Sequence, residues 1–206
     1  KTHSAEVAHA KLDELKELHN LGTYGRMKRS QAKNIVDTRW VIRWKLVGGK
    51  RIVKVRITMR GFKDRCINLE TFAGTATRWS QRMVNSATAN EDDFVLFSFD
   101  VSKAFAKGMT FDELSRLTGE PLRAVQFELS PADAQLLKKL PGFEDFDPTT
   151  EVLTMWKSIY GLKDAPRAWR KRLHEVLLQF GLKPTVSDNQ VYLMHHIKSG
   201  SIVSAE

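Results

Sequence analysis

The sequence predicts an α+β protein in which an antiparallel sheet is packed against helices. Apolar and polar residues alternate with a period of two over residues 36–60, as in a half-buried β-hairpin. Apolar residues at helical spacing precede this region in residues 5–20 and recur in residues 165–180. Because strand and helix patterns follow one another without an internal repeat or an obvious linker, we expect one mixed unit with the hairpin at its front.

Composition limits the class of protein and of partner. The chain has 206 residues, of which 42% are hydrophobic and 28% charged, as is ordinary for a globular protein. Its formal net charge of +9 favours an anionic partner such as nucleic acid. The single cysteine, Cys66, excludes an internal disulfide and any cysteine-rich zinc site. No apolar segment is long enough for a signal peptide or a membrane span, so no membrane partner is predicted.

The first two elements are predicted to be an amphipathic helix and a hairpin. The helix covers residues 5–20, and Gly22 supplies its C-cap. Gly48 and Gly49 form the turn of the hairpin, whose strands are apolar on one face. A cationic strand face is often only solvated surface, so a binding role for the other face remains one of two alternatives. That face carries Arg43, Lys45, Lys54, Arg56 and Arg60.

The middle of the chain contains a candidate buried strand, residues 94–99, which ends at Asp100. A helix over about residues 77–87 is expected to link the hairpin to this strand. Residues 108–151 contain capping and turn signals and are predicted to be additions on a core. The remaining predicted elements are a strand at 152–159, a helix over 165–180 closed by Gly181, and a strand at 190–197.

Asp100 is the first candidate for chemistry. It ends an apolar run, where a carboxylate is costly unless a metal or hydrogen bonds compensate its charge. Polymerases transfer nucleotides with two divalent metals about 3.5–4 Å apart, and such hard cations require carboxylate ligands. Asp100 is therefore a candidate metal ligand. The alternative is an aspartate that caps the turn after a strand.

A second stretch, residues 158–169, contains a turn that leads into a helix. Gly161 would allow the backbone to approach a ligand closely, and the N-terminus of the following helix favours anions. Asp164 has the alternative role of a plain N-cap. Phe105, five residues after Asp100, is either the wall of a pocket or an ordinary core aromatic.

Several motifs follow the order in which they occur in the reverse transcriptase of copia-type LTR retrotransposons. NLGTY at 20–24 is similar to that family's entry segment, and RWVIRWKL with KVRITMRGF, within 39–62, looks like its fingers hairpin. GFKDRCINLETFA at 61–73 resembles the stretch that ends in its ETFAP signature. FDVSKAFAKG at 99–108 resembles its first catalytic motif, and YGLKDAPRAW at 160–169 resembles its nucleotide-side turn and helix.

The resemblance runs from about residue 8 to about residue 194 and implies the fingers and palm of a right-hand polymerase. The chain would then be one fingers and palm fragment, mainly fingers in 23–92 and mainly palm in 93–206, with an expanded 110–141 segment. The resemblance implies RNA-directed DNA polymerase activity with Mg²⁺ or Mn²⁺ as cofactor. Its implied partners are an RNA template, a DNA primer and deoxynucleoside triphosphates, within a polyprotein that also carries integrase and RNase H regions. An intracellular location, in the cytoplasm or a virus-like particle, is implied as well.

The resemblance also implies roles for individual residues. Asp100 would be the catalytic metal ligand. Phe105 would leave no room for a ribose 2′-hydroxyl and would therefore select deoxynucleotides. The resemblance also implies nucleotide binding by Phe105 and by six further residues, which are Val101, Lys54, Arg56, Arg60, Gly161 and Lys163.

This sequence departs from the family pattern at several positions. Asp164 stands where the family has Gln, so an anion that would repel phosphate replaces a neutral donor. Gly74 replaces the Pro of the signature, and Ala106 and Lys107 replace a Leu-Asn pair. These changes suggest a divergent or decaying copy.

The family's second carboxylate pair is expected on a hairpin whose first strand would lie near residues 202–206. The sequence to residue 206 does not contain that pair, and it begins on Lys1 without an initiating Met, so we expect a fragment. With one of three expected ligand carboxylates, the fragment is predicted to hold no metal stably and to be inactive alone. The alternative is a non-catalytic nucleic-acid-binding module derived from such a domain, in which the basic hairpin matters and Asp100 does not.

Overall fold

A computed structural model describes residues 3–194, 196–198 and 201–204. The helices in these residues are α1 (Ser4–Asn20), α2 (Arg78–Asn90), α3 (Phe111–Thr118), α4 (Pro131–Leu137) and α5 (Ala165–Gln179). The strands are β1 (Tyr24–Lys28), β2 (Ile35–Val47), β3 (Lys50–Met59), β4 (Gln126–Glu128), β5 (Glu151–Met155), β6 (Lys183–Pro184), β7 (Tyr192–Leu193), β8 (His196–Lys198) and β9 (Ser201–Ser204). The predicted mixture of helices and strands is confirmed.

The main sheet has the strand order β1-β5-β4-β2-β3. Its pairs are antiparallel except for β2 and β4, which are parallel. The prediction of an antiparallel sheet is therefore wrong for this one pair. The chain between β2 and β4 includes β3, α2 and α3, which is long enough for the crossover connection that a parallel pair needs. Two further sheets pair β6 with β7 and β8 with β9.

The predicted hairpin is formed by β2 and β3. Gly48 and Gly49 both have positive φ, +55° and +78°, which is the conformation that two-residue hairpin turns require. The apolar face is buried at the base of the hairpin, where Ile57 and Met59 join the core. Near the tip the same face stays exposed, since Leu46 is 67% accessible. The hairpin is therefore anchored at its base and projects beyond the core.

The segment that the sequence analysis treated as additions, residues 108–151, lies at the centre of the fold. Its strand β4 sits between β5 and β2, and Gln126 and Phe127 of this strand are buried. This placement corrects the prediction. The segment contributes to one core with Leu15 and Leu18 of α1, through Phe111, Val125, Phe127, Leu129, Ala134, Leu137, Leu140, Phe143 and Phe146.

Residues 94–99 form no strand, contrary to the prediction. Phe97 and Phe99 are 83% and 85% exposed, and Trp79 of the preceding α2 is 78% exposed. A strand is stable when a neighbour satisfies its backbone hydrogen bonds and covers its apolar face. Within the part of the chain that the structure describes, no strand pairs with residues 94–99. Asp100 therefore follows an exposed segment and not a buried strand.

Predicted boundaries differ from the observed ones mainly in the last third of the chain. The strand predicted at 152–159 is the shorter β5, and the one predicted at 190–197 is divided between β7 and β8. β9 lies where the first strand of the second carboxylate hairpin was expected, but residues 195, 205 and 206 are outside the described residues. No described helix combines the length and the hydropathy that crossing a membrane would need.

Candidate functional site

A cavity of about 410 Å³ opens where α1, β3 and the loop at residues 100–105 meet. We call this space the central cavity. Asp100 is exposed at its edge, Phe105 is half-buried, and the side chains of Lys54 and Arg56 enter from β3. Residues from three separate parts of the sequence thus meet in one place. The predicted site residues that line the central cavity are Asp100, Val101, Phe105, Lys54 and Arg56.

Tyr160 connects the hairpin to the loop across this cavity. The Arg56 guanidinium lies over the Tyr160 ring, 5.2 Å from its centroid, as in a cation–π contact. The Phe105 ring meets Tyr160 edge to face, with centroids 5.5 Å apart. Tyr160 lies in the predicted turn, but no role was predicted for it. Its position beside Gly161, the glycine of the turn, is the only signal in the sequence for such a role.

The turn at residues 158–164 is attached to the end of β3 through two glycines. Gly161 has φ +94°, and a Cβ there would lie 2.0 Å from the Met59 carbonyl oxygen. A Cβ on Gly61 would lie 2.1 Å from the Gly161 carbonyl oxygen. The Met59 amide donates to the Tyr160 carbonyl at 2.8 Å. The close backbone approach predicted at Gly161 is thus an approach to β3, which fixes the turn.

A second cavity, of about 560 Å³, lies on the cationic face of the hairpin and shares Lys54, Arg56 and Tyr160 with the central cavity. Arg43 and Lys45 also line it, together with Gly161. The strand register places Arg43 directly opposite Lys54. Like charges in that arrangement are destabilising, and a bound anion would relieve the repulsion. We call this surface the cationic face.

The cationic side chains of this surface are not neutralised within the protein. Among the described residues, the ion pairs of the structure include none from Arg43, Lys45, Lys54 or Arg56. Arg43 and Lys45 lie on β2, and Lys54 and Arg56 lie on β3. The core holds β3 at its base, so the charges are presented from a fixed scaffold. An arrangement of this kind attracts phosphate groups.

Two predicted nucleotide contacts lie outside both cavities. Arg60 follows β3 but pairs with Asp37, with Nη1 and Oδ2 3.0 Å apart. Burial opposes ionisation of Asp37, but the hydrogen bond from Lys63 and the charge of Arg60 hold its pKa below the ordinary value. Lys163 is exposed and lies beyond the cavity linings. The structure therefore does not bring Arg60 and Lys163 together with the other site residues.

Asp164 faces the protein interior. The Ser158 hydroxyl donates to Asp164 Oδ1 at 2.6 Å, and Arg123 forms an ion pair with Asp164 and another with Asp64. All three charged side chains are at least nine-tenths buried. Asp164 occupies the N-cap position of α5, but its side chain makes no capping hydrogen bond. The expectation that this anion repels phosphate is wrong, because Arg123 compensates its charge inside the protein.

The carboxylates near Asp100 do not form a metal centre. Glu14 and Glu17 of α1 line the central cavity with Asp100, but both accept from the ammonium of Lys103, at 2.7 and 2.6 Å. In the described ranges, no group of three or more His, Cys, Asp or Glu side chains is arranged to hold a metal ion. These residues therefore do not fit the two-metal site that the family resemblance implies. Sequence reasoning missed Glu14 and Glu17, whose only signal is their spacing on one helix face.

The sequence is similar to the Pol polyproteins of retrotransposons. It is 28% identical over 169 residues, which is 80% of this chain, to the retrovirus-related Pol polyproteins from transposons RE1 and RE2 of Arabidopsis thaliana. It is 25% identical over 202 residues, 96% of the chain, to the retrovirus-related Pol polyprotein from transposon TNT 1-94 of Nicotiana tabacum. No family model matches the chain, and no solved structure matches it significantly.

Over most of its length the chain is thus similar to one segment of retrotransposon Pol polyproteins. The recognition of copia-type retrotransposon relatives from sequence motifs is thereby confirmed. The chain spans 10% of the length of the RE1 and RE2 proteins and 14% of the TNT 1-94 protein.

Proposed function

We propose that the chain is the fingers and palm portion of a copia-type reverse transcriptase. In this proposal, the central cavity receives a deoxynucleoside triphosphate and the cationic face receives the phosphates of template or primer. The observation that carries the proposal is the meeting of Asp100, Phe105, Lys54 and Arg56 in one cavity, although they come from separate parts of the sequence. Homology to Pol polyproteins, in which a polymerase segment is expected, supports the same conclusion.

Different side chains of the central cavity would bind different parts of a nucleotide. Lys54 and Arg56 would contact the triphosphate, since they are exposed cations without an internal ion pair among the described residues. Phe105, braced by Tyr160, would lie against the sugar and exclude a 2′-hydroxyl. Asp100 would contact the Mg²⁺ or Mn²⁺ that the triphosphate itself carries, but as a single carboxylate it would not complete a two-metal site.

We expect binding from this chain and not nucleotide transfer. In-line transfer needs two metals held by several ligands, and the described residues do not group Asp100 with further carboxylates. In a polyprotein that also carries integrase and RNase H regions, an RNA template and a DNA primer would be the partners of the cationic face.

Nucleotide binding can be measured with a fluorescent deoxynucleoside triphosphate and Mn²⁺. The double variant Lys54→Gln/Arg56→Gln should lose at least about tenfold in affinity, because two charged hydrogen bonds to phosphate are removed. The matched control Lys28→Gln/Lys139→Gln removes two exposed lysines outside both cavities and should bind like the wild type. Equal affinity in the two double variants would contradict the proposal.

The sugar preference gives a second, independent readout of the same assay. Phe105→Ala should narrow the difference in affinity between deoxynucleoside and ribonucleoside triphosphates, because it opens the space beside Tyr160. If Phe105→Ala keeps the same preference for deoxynucleotides, Phe105 does not exclude the 2′-hydroxyl.

The alternative function, a non-catalytic nucleic-acid-binding module, is favoured by the uncompensated charges of the cationic face. It predicts salt-dependent binding of single-stranded RNA or DNA that survives Asp100→Asn. Loss of Lys54 and Arg56 should reduce the slope of log affinity against log salt by about 1.4, since each phosphate contact contributes about 0.7 on a single strand. Nucleic-acid binding without triphosphate binding would favour this alternative over the first proposal.

A further inference from the structure

The loop that carries Asp100 and Phe105 contains an unusual backbone conformation at Lys103. This residue has φ +54° and ψ +39°, in the left-handed region. For a residue with a Cβ this conformation costs about 1–2 kcal/mol, so it persists only where the surroundings enforce it. A glycine would adopt it freely, yet the sequence has a lysine.

Two ion pairs of the Lys103 side chain hold the residue in this conformation. Its ammonium contacts Glu14 at 2.7 Å and Glu17 at 2.6 Å. The two glutamates are three residues apart and therefore lie on one face of α1. Glu14 is only 6% exposed and Lys103 only 16%. We call this group of Lys103, Glu14 and Glu17 the α1 clasp.

The helix that holds the clasp is itself firmly attached to the core. Leu15 lies next to Glu14, and Leu18 next to Glu17, and both leucines are fully buried. The Tyr24 hydroxyl donates to the Leu15 carbonyl at 2.9 Å, which ties α1 to β1. The clasp thus connects the loop to one of the best-packed parts of the protein.

The loop is held differently on the two sides of Lys103. After Lys103 it packs on α5: the Met109 amide donates to the Ala168 carbonyl, and a Cβ on Gly108 would lie 3.0 Å from the Trp169 nitrogen. Before Lys103, residues 94–99 are exposed and pair with no strand in the described part of the chain. Lys103 therefore anchors the chain three residues after Asp100, on the side where the loop is attached to the protein.

Lys103 lines the central cavity, but its charge is already used by the two glutamates. Burial alone would lower the pKa of Lys103, whereas hydrogen bonds with Glu14 and Glu17 raise it above the ordinary value. The ammonium is thus protonated at neutral pH and paired inside the protein. A direct phosphate contact would require it to leave both carboxylates.

We propose that Lys103 is a positioning residue, which uses the α1 clasp to fix the loop that carries Asp100 and Phe105 and thereby sets the affinity of the central cavity for nucleotide. Only the second part of this proposal, the effect on nucleotide affinity, rests on the proposed function. It makes α1, the first helix of the described chain, part of the nucleotide site through contacts that do not touch the nucleotide.

Three substitutions at Lys103 separate the ion pair from the backbone strain. Lys103→Met keeps an apolar side chain of similar length but removes the charge. Lys103→Gly removes the charge and also relieves the left-handed conformation. Lys103→Arg keeps a cation within reach of both glutamates. Lys107→Met is the matched control, since Lys107 is an exposed lysine of the same loop that does not line the central cavity.

Amide hydrogen exchange of residues 107 and 108, whose amides donate to the Lys103 and Phe105 carbonyls, and triphosphate affinity are measured on each variant. Lys103→Met and Lys103→Gly should both exchange about tenfold faster in this loop, because the clasp is lost, and should bind nucleotide more weakly by a similar factor. Lys103→Arg and Lys107→Met should resemble the wild type in both measurements. If Lys103→Met does not fold, Glu17→Gln weakens the same clasp at a more exposed position.

Hydrogen exchange tests the α1 clasp and triphosphate affinity tests the proposed function, so the two can be contradicted independently. Loop exchange that is unchanged in Lys103→Met would overturn the clasp, whether or not the chain binds nucleotide. Wild-type exchange in Lys103→Gly, with accelerated exchange in Lys103→Met, would show that backbone strain and not the ion pair matters, and would also overturn it. Accelerated exchange together with no measurable binding by the wild type would support the clasp and contradict the proposed function.

Discussion

The central cavity lies between two stretches that are held by different means. The turn at residues 158–164 is fixed by backbone contacts between Gly161 and β3 and by the buried pair of Asp164 and Arg123. The loop at residues 100–105 has an exposed segment before it and is attached to α1 through Lys103. The turn is therefore a wall of the site that belongs to the core, whereas the loop is a wall that is joined to the core through the side chain of Lys103. Substitutions in the turn should therefore affect folding, and substitutions in the loop should affect binding.

The largest effect is expected in the turn, for Gly161→Ala. A Cβ would lie 2.0 Å from the Met59 carbonyl oxygen, in a left-handed conformation that itself disfavours a side chain. The left-handed penalty of about 1–2 kcal/mol adds to a clash of about 3 kcal/mol, so we expect a loss of about 4–5 kcal/mol in the free energy of unfolding, measured with urea. Gly49→Ala is the control, because its φ is also positive but nothing lies within 4 Å of the added Cβ. Equal losses in the two variants would mean that the contact with β3 does not matter.

The buried pair behind the turn gives the next effect. Arg123→Met leaves Asp64 and Asp164 buried without a cation and should cost about 3 kcal/mol or more in unfolding free energy. Adding Asp64→Asn and Asp164→Asn should recover part of that loss, since no buried charge then remains in the group. The control, Arg116→Met, removes an exposed ion pair with Asp112 and should change stability by less than about 1 kcal/mol. Similar losses for both arginines would contradict the role of Arg123.

The loop should respond in the opposite way. Asp100→Asn changes an exposed side chain and should alter the free energy of unfolding by less than about 0.5 kcal/mol. It should nevertheless weaken the Mn²⁺-dependent part of triphosphate binding, measured as the difference in affinity with and without the metal. A large loss of stability would place Asp100 in the core, against the contrast drawn between the two stretches.

The smallest effect concerns α2, which is held at its N-terminus by Asp188. Hydrogen bonds from the Ser80 hydroxyl and from the Thr77 and Gln190 amides lower the pKa of Asp188 to about 2. Because this pKa is lowered in the folded protein, the stabilisation is present above the ordinary value of 3.8 and is lost as the pH falls towards 2. The Ser80 amide signal in an NMR titration should therefore move with a midpoint near 2. Asp188→Asn should abolish that movement, and a midpoint near 3.8 would contradict the attachment.

Sequence reasoning succeeded where local patterns decide the structure. The hairpin, α1 and α5 were predicted because alternation, helical spacing and turn glycines are local properties. The strand at 94–99 was wrong because its apolar pattern is typical of a strand, but a strand also needs a partner. The central position of β4 was missed because three residues are too few to show a period.

In the candidate site, too, residues in local motifs were predictable and residues that act through distant contacts were not. Motifs pointed to Asp100, Phe105, Lys54 and Arg56, and the structure places all four around one cavity. Residues that act through distant contacts were not predictable: Lys103 with α1, Tyr160 with Arg56, and Arg123 with Asp164. Each of these pairs joins residues far apart in sequence, and a single sequence does not say which of its charged residues meet.

We propose that the described residues provide the nucleotide-binding parts of a polymerase site but not a complete two-metal centre. Primer extension on an RNA or DNA template, with Mg²⁺ and deoxynucleoside triphosphates, tests it most directly. We predict no template-dependent extension by residues 1–206, because the described residues hold no group of three ligands for a metal. Robust Mg²⁺-dependent extension that is abolished by Asp100→Ala would contradict the account.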